Sequence, residues 1–167
     1  GVSLIDNTTG NLNSALGYNA LYYNKTGNKN TAVGSYAGWK SLADCNVFIG
    51  YQAGYYETGS NKLFIDNQQR TNESDGRVKA LIYGVFDASP ANQYLTINGN
   101  VGIGTATPTY TLDVNGEITS RSASVSSFRL RGTSYSTLLR NDGSDFYILL
   151  TNAGDPDGAW NALRPFE

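Results

Sequence analysis

The sequence of 167 residues contains no histidine and only one cysteine, Cys45. Histidine is the usual general base and a common metal ligand, so its absence removes Ser-His-Asp and Cys-His catalysis. A single cysteine excludes an intrachain disulfide framework and cannot form a zinc site by itself. We therefore expect no catalytic residue of these types, no metal ion and no cofactor.

Charged residues are also scarce, at 16% of the chain, and the formal net charge is −2. Binding to DNA or RNA requires clustered lysine and arginine, so a nucleic-acid partner is not predicted. No apolar run reaches the roughly 18 residues of a membrane-spanning helix, and we expect no membrane insertion. The chain instead has 19 glycines and short apolar runs separated by asparagine, serine and threonine, which is typical of all-β or repeat proteins.

One short phrase recurs in the first part of the chain, at 13–18, 30–35 and 46–51, with a weaker fourth copy at 61–66. A fixed period of 16 or 17 residues predicts one small unit stacked many times, as in a β-solenoid or β-roll. Alternation within the phrase predicts a strand of four or five residues whose neighbouring side chains face opposite ways. The repeat-structural residues are the phrase's last apolar residue and the glycine after it: Leu16, Val33, Ile49, Gly17, Gly34 and Gly50.

We divide the chain into three parts: a β-repeat shaft at 1–67, a connector with a β meander at 68–120, and a C-terminal β module at 121–167. The polar stretch at 68–77 has no periodicity and is predicted to be a loop. Two Asn-Gly pairs, at 98–99 and 115–116, end alternating segments and predict hairpins. A further hairpin is predicted around Asp142-Gly143.

The phrases at 30–34 and 47–54, followed by 60–67 and 99–116, resemble bacteriophage tail-fibre and related phage-derived fibre proteins over about residues 10–118. The resemblance implies an elongated, β-rich homotrimer located in the virion tail after synthesis in the bacterial cytoplasm. It also implies other fibre proteins and a bacterial surface glycan or protein as partners. The same repeat is similar to the heads of trimeric bacterial adhesins, although their repeats are somewhat shorter.

Trimerisation is physically reasonable for such a chain, because a narrow stack of short strands has little interior in which to bury apolar residues. Three chains around an axis place Leu16, Val33, Ile49 and Ile65 against their symmetry mates. Aromatic residues recur through 18–56, and we predict that they form a packing ladder between successive coils.

The less regular C-terminal module is where we expect a receptor to bind. The candidate receptor-binding residues are Tyr147, Asp155, Asp157, Trp160 and Arg164. A pair of carboxylates could in principle cleave a glycan, but the candidates Asp142, Asp145, Asp155 and Asp157 lie in Gly- or Pro-containing turns that favour aspartate for structural reasons. The sequence around Asp155 also lacks the ligand spacing of an EF-hand calcium loop.

The predicted function is therefore a structural and adhesive fibre segment that attaches a phage or phage-like particle to a bacterial surface without catalysis. A trimeric bacterial adhesin head, a polysaccharide-degrading tailspike and a purely structural spacer are the alternatives.

Overall fold

The structure is a computed structural model that describes residues 2–119, 128–141, 146–155 and 157, with the backbone alone described at 140 and 141. The contacts divide the chain into two compact units, one from 1 to 115 and the other from 116 to 167. The described part of each unit is built mainly from short β-strands. This composition confirms the predicted all-β class.

A six-stranded sheet organises the first unit, and its spatial order follows the chain order. The first four strands run parallel, and the last two are antiparallel to their neighbours. Each parallel strand contributes one coil of the chain, so the predicted β-solenoid is confirmed. The strands are β1 Ser14–Leu16, β2 Thr31–Val33, β3 Val47–Ile49, β4 Lys62–Ile65, β5 Ile82–Val85 and β6 Tyr94–Ile97.

The coils remain in register outside the strands, because backbone hydrogen bonds also join their turns. Tyr36 N donates to Tyr18 O of the preceding coil at 2.8 Å, and one coil further on Gln52 N donates to Ser35 O at 2.9 Å. A left-handed residue precedes each of the four parallel strands by one or two positions. These residues are Leu12, Lys29, Cys45 and Asn61, with φ between 57° and 61°. The repeat therefore specifies a corner as well as a strand.

The fourth coil is offset by one residue from the alignment that the sequence suggested. The predicted fourth phrase set Asn61 against Asn46, but Val47 pairs with Leu63, which places Lys62 level with Asn46. The physical reason is the corner before the strand: Asn61 takes the left-handed conformation that Cys45 takes in the previous coil. Asparagine tolerates this conformation better than most residues.

The core of the solenoid is a row of inward-facing side chains on consecutive strands. Ala32, Phe48, Phe64 and Tyr83 are register partners along this row, and all four are buried. The predicted alternation is confirmed here, since Ala32 is buried while its neighbours Thr31 and Val33 are not.

The Phe48 ring fills the coil because glycine faces it: a Cβ at Gly54 would lie 2.1 Å from Phe48 Cδ1. The interior is therefore close-packed at this level, with no room for a larger residue.

A short helix, α1 Glu73–Lys79, follows the solenoid. The prediction of a loop at 68–77 was wrong for this segment. Asn72 caps the helix by accepting a hydrogen bond from Asp75 N at 2.9 Å. Acidic residues occupy the first turn and basic residues the last, which suits the helix dipole. With seven residues and Gly76 in its middle, α1 depends on this capping and on tertiary contacts and shows no apolar period.

The Asn-Gly pairs do not form hairpins. Asn98-Gly99 separates β6 from β7 Val101–Ile103, which belongs to a different sheet, where it pairs in parallel with β8 Leu112–Val114. A type I′ turn needs positive φ at both central residues, and neither Asn98 nor Gly99 has it. Asn115 also lacks a positive φ, and no described strand follows it within 116–119.

A 3-10 helix, Pro90–Asn92, joins β5 to β6.

The second unit contains an antiparallel sheet of β9 Phe128–Arg131, β10 Ser136–Asn141 and β11 Phe146–Leu150, with β10 in the centre. Leu138 and Leu149 are register partners, and both are buried. The predicted C-terminal β module is confirmed, whereas the predicted turn at Asp142-Gly143 lies outside the described residues. In the described ranges the longest helix is α1, which is far too short to cross a bilayer.

Candidate functional site

The outward side of the six-stranded sheet carries an unbroken row of apolar side chains. Pairing register places one residue of each strand in this row, which we call the outer row: Leu16, Val33, Ile49, Ile65, Ile82 and Ile97. At the ordinary strand spacing, six strands extend the row over roughly 24 Å. It includes Leu16, Val33 and Ile49, which the repeat pattern singled out, and it continues through two strands beyond the repeat.

Four residues of the outer row are exposed in the single chain, and the other two, Ile65 and Ile82, are half-buried. Leu16 is 70% exposed, Val33 and Ile49 are about 40% exposed, and Ile97 is 44% exposed. Single exposed apolar residues are ordinary on protein surfaces, but a contiguous row of them marks an interaction surface. Sequence reasoning missed Ile82 and Ile97, because their membership depends on antiparallel pairing that no short repeat reveals.

The glycines after the strands hold successive coils at close approach. Gly34 has φ +134°, and a Cβ there would lie 2.4 Å from Gly50 O. Gly50 has φ +111°, and a Cβ would lie 2.0 Å from Asp66 O. Gly17 repeats this arrangement against Gly34. Both the left-handed backbone and the contact exclude a side chain, so these repeat-structural glycines are required by the chain's own fold.

An asparagine ladder runs beside the strands, and it is a feature whose role the sequence pattern did not reveal. Asn13 Oδ1 accepts from Asn30 N, Asn30 Oδ1 from Asn46 N, and Asn46 Oδ1 from Lys62 N, each at 2.8–2.9 Å. Asn30 and Asn46 are fully buried. Each amide side chain thereby satisfies a backbone donor of the next coil that would otherwise be unpaired.

Aromatic rings stack between coils, which confirms the predicted ladder. Trp39 and Tyr55 stack with centroids 4.7 Å apart and planes at 24°. Tyr23 meets Trp39 edge to face, also at 4.7 Å, and Tyr36 meets Tyr18 at 5.4 Å. Burial raises the pKa of the Tyr55 hydroxyl, with neighbouring tyrosines adding to the effect.

One side of the ladder borders an open groove of about 590 Å³, which we call the aromatic groove. Lys40 lies over the Tyr56 ring, with Nζ 4.6 Å from its centroid, in cation–π geometry. Two lysines and no carboxylate line the groove, so its local charge is positive. The lining residues are Tyr23, Lys25, Trp39, Lys40, Leu42 and Thr58.

The predicted receptor-binding residues are only partly described. Asp157 forms a two-point ion pair with Arg131, with distances of 2.7 and 2.8 Å, and this hydrogen bonding lowers the pKa of the Asp157 carboxyl. Asp155 is exposed, and Tyr147 is half-buried in β11 opposite Arg140. Trp160 and Arg164 lie outside the described residues.

No metal site is evident among the described residues, where no three aspartate, glutamate or cysteine side chains cluster. Of the four carboxylate candidates the structure describes two: Asp155 is exposed and Asp157 pairs with Arg131, whereas Asp142 and Asp145 lie outside the described residues. The feature that stands out among the described residues is the outer row, a surface suited to association.

Comparison with known proteins fits a surface of this kind. A family model described as "Long-tail fiber proximal subunit, C-terminal, trimerization domain" matches residues 53–167. The chain belongs to this tail-fibre family. The resemblance to phage tail fibres read from the repeat is thereby confirmed, and the family match begins within the solenoid and includes the β-strands that follow it.

Individual relatives of this family point the same way. The chain is 36% identical over 110 residues to the long-tail fiber proximal subunit of Enterobacteria phage T4, covering 66% of this chain and 8% of that protein. It is 48% identical over 52 residues to tail fiber protein S of Escherichia phage Mu, covering 31% and 10%. A third match, 54% identical over 39 residues, is to long tail fiber protein Gp37 of Enterobacteria phage K3, covering 20% and 3%. The chain thus spans a tenth or less of each relative's length.

Proposed function

We propose that this chain is a homotrimeric segment of a phage tail fibre, located in the virion tail, that acts by binding and not by catalysis. The observation that carries the proposal is the outer row, six apolar residues in register on one sheet face, four of them exposed. The description of its family as a trimerization domain supports an assembly of three copies.

Three copies around an axis give each outer row a partner surface. Closed cyclic symmetry satisfies every copy equally and leaves no row unpaired. Burial of the row removes apolar surface from water, and the same contacts hold the short solenoid strands against fraying. In this proposal the row is the seam of the fibre, and the asparagine ladder and glycine corners keep its residues aligned.

The seam is tested by placing a charge on it. Ile49→Asp puts a carboxylate in the middle of the row. Leu42→Asp is the matched control, because Leu42 is also an apolar residue, is somewhat more exposed and lies off the sheet. Light scattering coupled to size exclusion gives the mass, and far-UV circular dichroism reports folding. We expect Ile49→Asp to lose the trimer and Leu42→Asp to keep it. An Ile49→Asp protein that remains trimeric would remove the outer row from the interface.

Attachment to a bacterial surface is the second part of the proposal, with a surface glycan or protein as the receptor. The aromatic groove supports it, because aromatic faces bind the apolar side of sugar rings and lysines attract acidic groups. Tyr147, Asp155, Asp157, Trp160 and Arg164 remain candidates in the C-terminal module. Three copies of any weak site multiply its effect through avidity.

Binding of labelled protein to bacterial cells tests attachment. Lys40→Gln reduces the positive charge of the groove, Trp160→Ala tests the C-terminal module, and Lys29→Gln is the control for loss of an exposed lysine elsewhere. Reduced binding by either test variant, with the Lys29→Gln control unchanged, locates the receptor site. Trimers that bind no cells would leave a structural spacer, and release of new reducing ends from capsule or O-antigen would indicate a degrading tailspike instead.

A further inference from the structure

A hollow of about 320 Å³ interrupts the outer face of the sheet where β5 crosses it. The pairing register places Leu63, Gly84 and Leu95 side by side on that face, next to the outer row, and the hollow lies over the glycine. Phe86, the residue directly after β5, also lines the hollow. The hollow therefore adjoins the surface already assigned to the trimer seam.

The backbone conformation of Gly84 does not require glycine. Its φ is not in the left-handed region, in contrast to Gly34 and Gly50. Gly84 is buried in the single chain, and an added Cβ would lie 3.2 Å from the backbone oxygen of Tyr94 and 3.4 Å from Leu63 Cβ, so an alanine there would be tightly packed. Glycine inside a strand is less stable than alanine and often marks a close approach by another group. The single chain leaves the hollow beside Gly84 open.

The lining of the hollow indicates what enters it. None of its lining residues is charged, although Gln93 and Tyr94 contribute polar atoms. Its apolar members include two exposed side chains, Leu95 at 61% and Phe86 at 40%. Its volume is at the lower end of the roughly 300–1,000 Å³ range of small-molecule pockets, which suits a side chain better than a cofactor. The outer row lies next to the hollow and continues its apolar surface.

We propose that the hollow over Gly84 is a socket that receives an apolar side chain from a second copy of this chain. The inference rests on the proposed trimer and adds the element that fixes its register. In a closed ring each copy offers one socket and fills the next, so three identical contacts form without an unpaired remainder. Burial of the apolar outer row favours association of the copies. The socket fixes the rotation of each copy about the trimer axis and its position along that axis.

Filling the socket is the test. Gly84→Ala and Gly84→Val place one and three carbon atoms in it, and Gly99→Ala is the control, because its Cβ makes a comparable 3.2 Å contact, with Leu81 Cδ1. Sedimentation equilibrium measures trimer dissociation, and circular dichroism measures folding. Since overpacking costs about 1–3 kcal/mol, we expect Gly84→Ala to raise the dissociation constant at least about fivefold, Gly84→Val to raise it further, and Gly99→Ala to leave it unchanged.

The outcomes separate the socket from the trimer. A wild-type protein that is monomeric refutes the proposed trimer itself. A trimeric wild type whose Gly84→Ala and Gly84→Val variants associate equally well refutes the socket alone. If Gly84→Ala impairs folding, the double variant with Leu63→Val returns volume to the hollow: recovery of the trimer supports the socket, and unchanged impairment overturns it.

Discussion

Glu57 and Arg77 form a two-point ion pair that joins the last coil of the solenoid to α1. Arg77 Nε lies 2.9 Å from Glu57 Oε2, and Nη2 lies 2.6 Å from Oε1. The Glu57 side chain is 1% exposed, whereas Arg77 is 35% exposed and also contacts Glu73. The Glu57 hydrogen bonds raise the pKa of the Arg77 guanidinium, so the cation is present at every accessible pH. The pair fixes α1 over the end of the core.

Replacing Glu57 by glutamine is expected to destabilise the protein, because the buried site keeps its shape but Arg77 loses its buried counter-charge. Breaking a fully buried pair costs about 3–5 kcal/mol, and we expect about 2 kcal/mol here because Arg77 is partly solvated. Denaturant unfolding measures the change. Glu73→Gln, which removes the more exposed partner of the same arginine, serves as the control and is expected to cost less. Equal losses in both variants would contradict a special role for Glu57.

The asparagine ladder predicts a large effect of a small substitution. Asn30→Ala leaves the buried N–H of Asn46 without an acceptor and frees Ala43 O, and we expect a loss of about 2–3 kcal/mol in the free energy of unfolding. Asn30→Asp keeps the acceptor for Asn46 N but loses the donor to Ala43 O, so it separates the effects of these two hydrogen bonds. Asn11→Ala, at an exposed asparagine of the same turn-rich region, is the reference. An Asn30→Ala variant as stable as Asn11→Ala would show that the ladder contributes nothing.

Much of the fold could be predicted because the repeat is local. The phrase around Asn30 and Gly34 includes the strand, the left-handed corner before it and the asparagine that bonds to the next coil, all within a few positions. The solenoid can therefore be predicted from the period of this phrase. The helix α1 could not be predicted, since Glu57, which pairs with Arg77, is twenty residues away. The Asn98-Gly99 hairpin failed for a related reason: β6 pairs with β5 and not with the strand that follows the turn residues.

The candidate surface was likewise only half visible in the sequence. Leu16, Val33 and Ile49 are marked by the period, whereas Ile82 and Ile97 join the row through antiparallel pairing. No repeat or motif marks Gly84, because the hollow that it lines is formed by strands that pair only in the folded chain.

Gly50 is predicted to be intolerant of any side chain. Gly50→Ala combines a left-handed backbone with a Cβ placed 2.0 Å from Asp66 O, and we expect a loss of at least about 2 kcal/mol in unfolding free energy. Thermal unfolding gives the comparison, with Gly99→Ala as the tolerant glycine. If both variants melt at the wild-type temperature, the coils are not held at the spacing described.

Acid is expected to weaken the α1 region through Asp75. A hydrogen bond from Lys79, and then one from the Thr71 backbone, lowers the pKa of Asp75 from 3.8 to about 2. The folded state therefore favours the ionised carboxylate, and this contribution is complete above about pH 4 and is lost as the pH falls toward 2. Melting temperatures of wild type and Asp75→Asn should differ at pH 5 and converge near pH 2. Parallel curves across this range would contradict the assignment.

The central claim is that three copies of this chain associate through the outer row of the sheet. Sedimentation equilibrium of the unmodified protein tests it most directly, because the mass requires no assumption about shape. We expect about three times the 18.0 kDa of the single chain, with dissociation only on dilution or after Ile49→Asp. A single species of 18.0 kDa at all concentrations would contradict the claim.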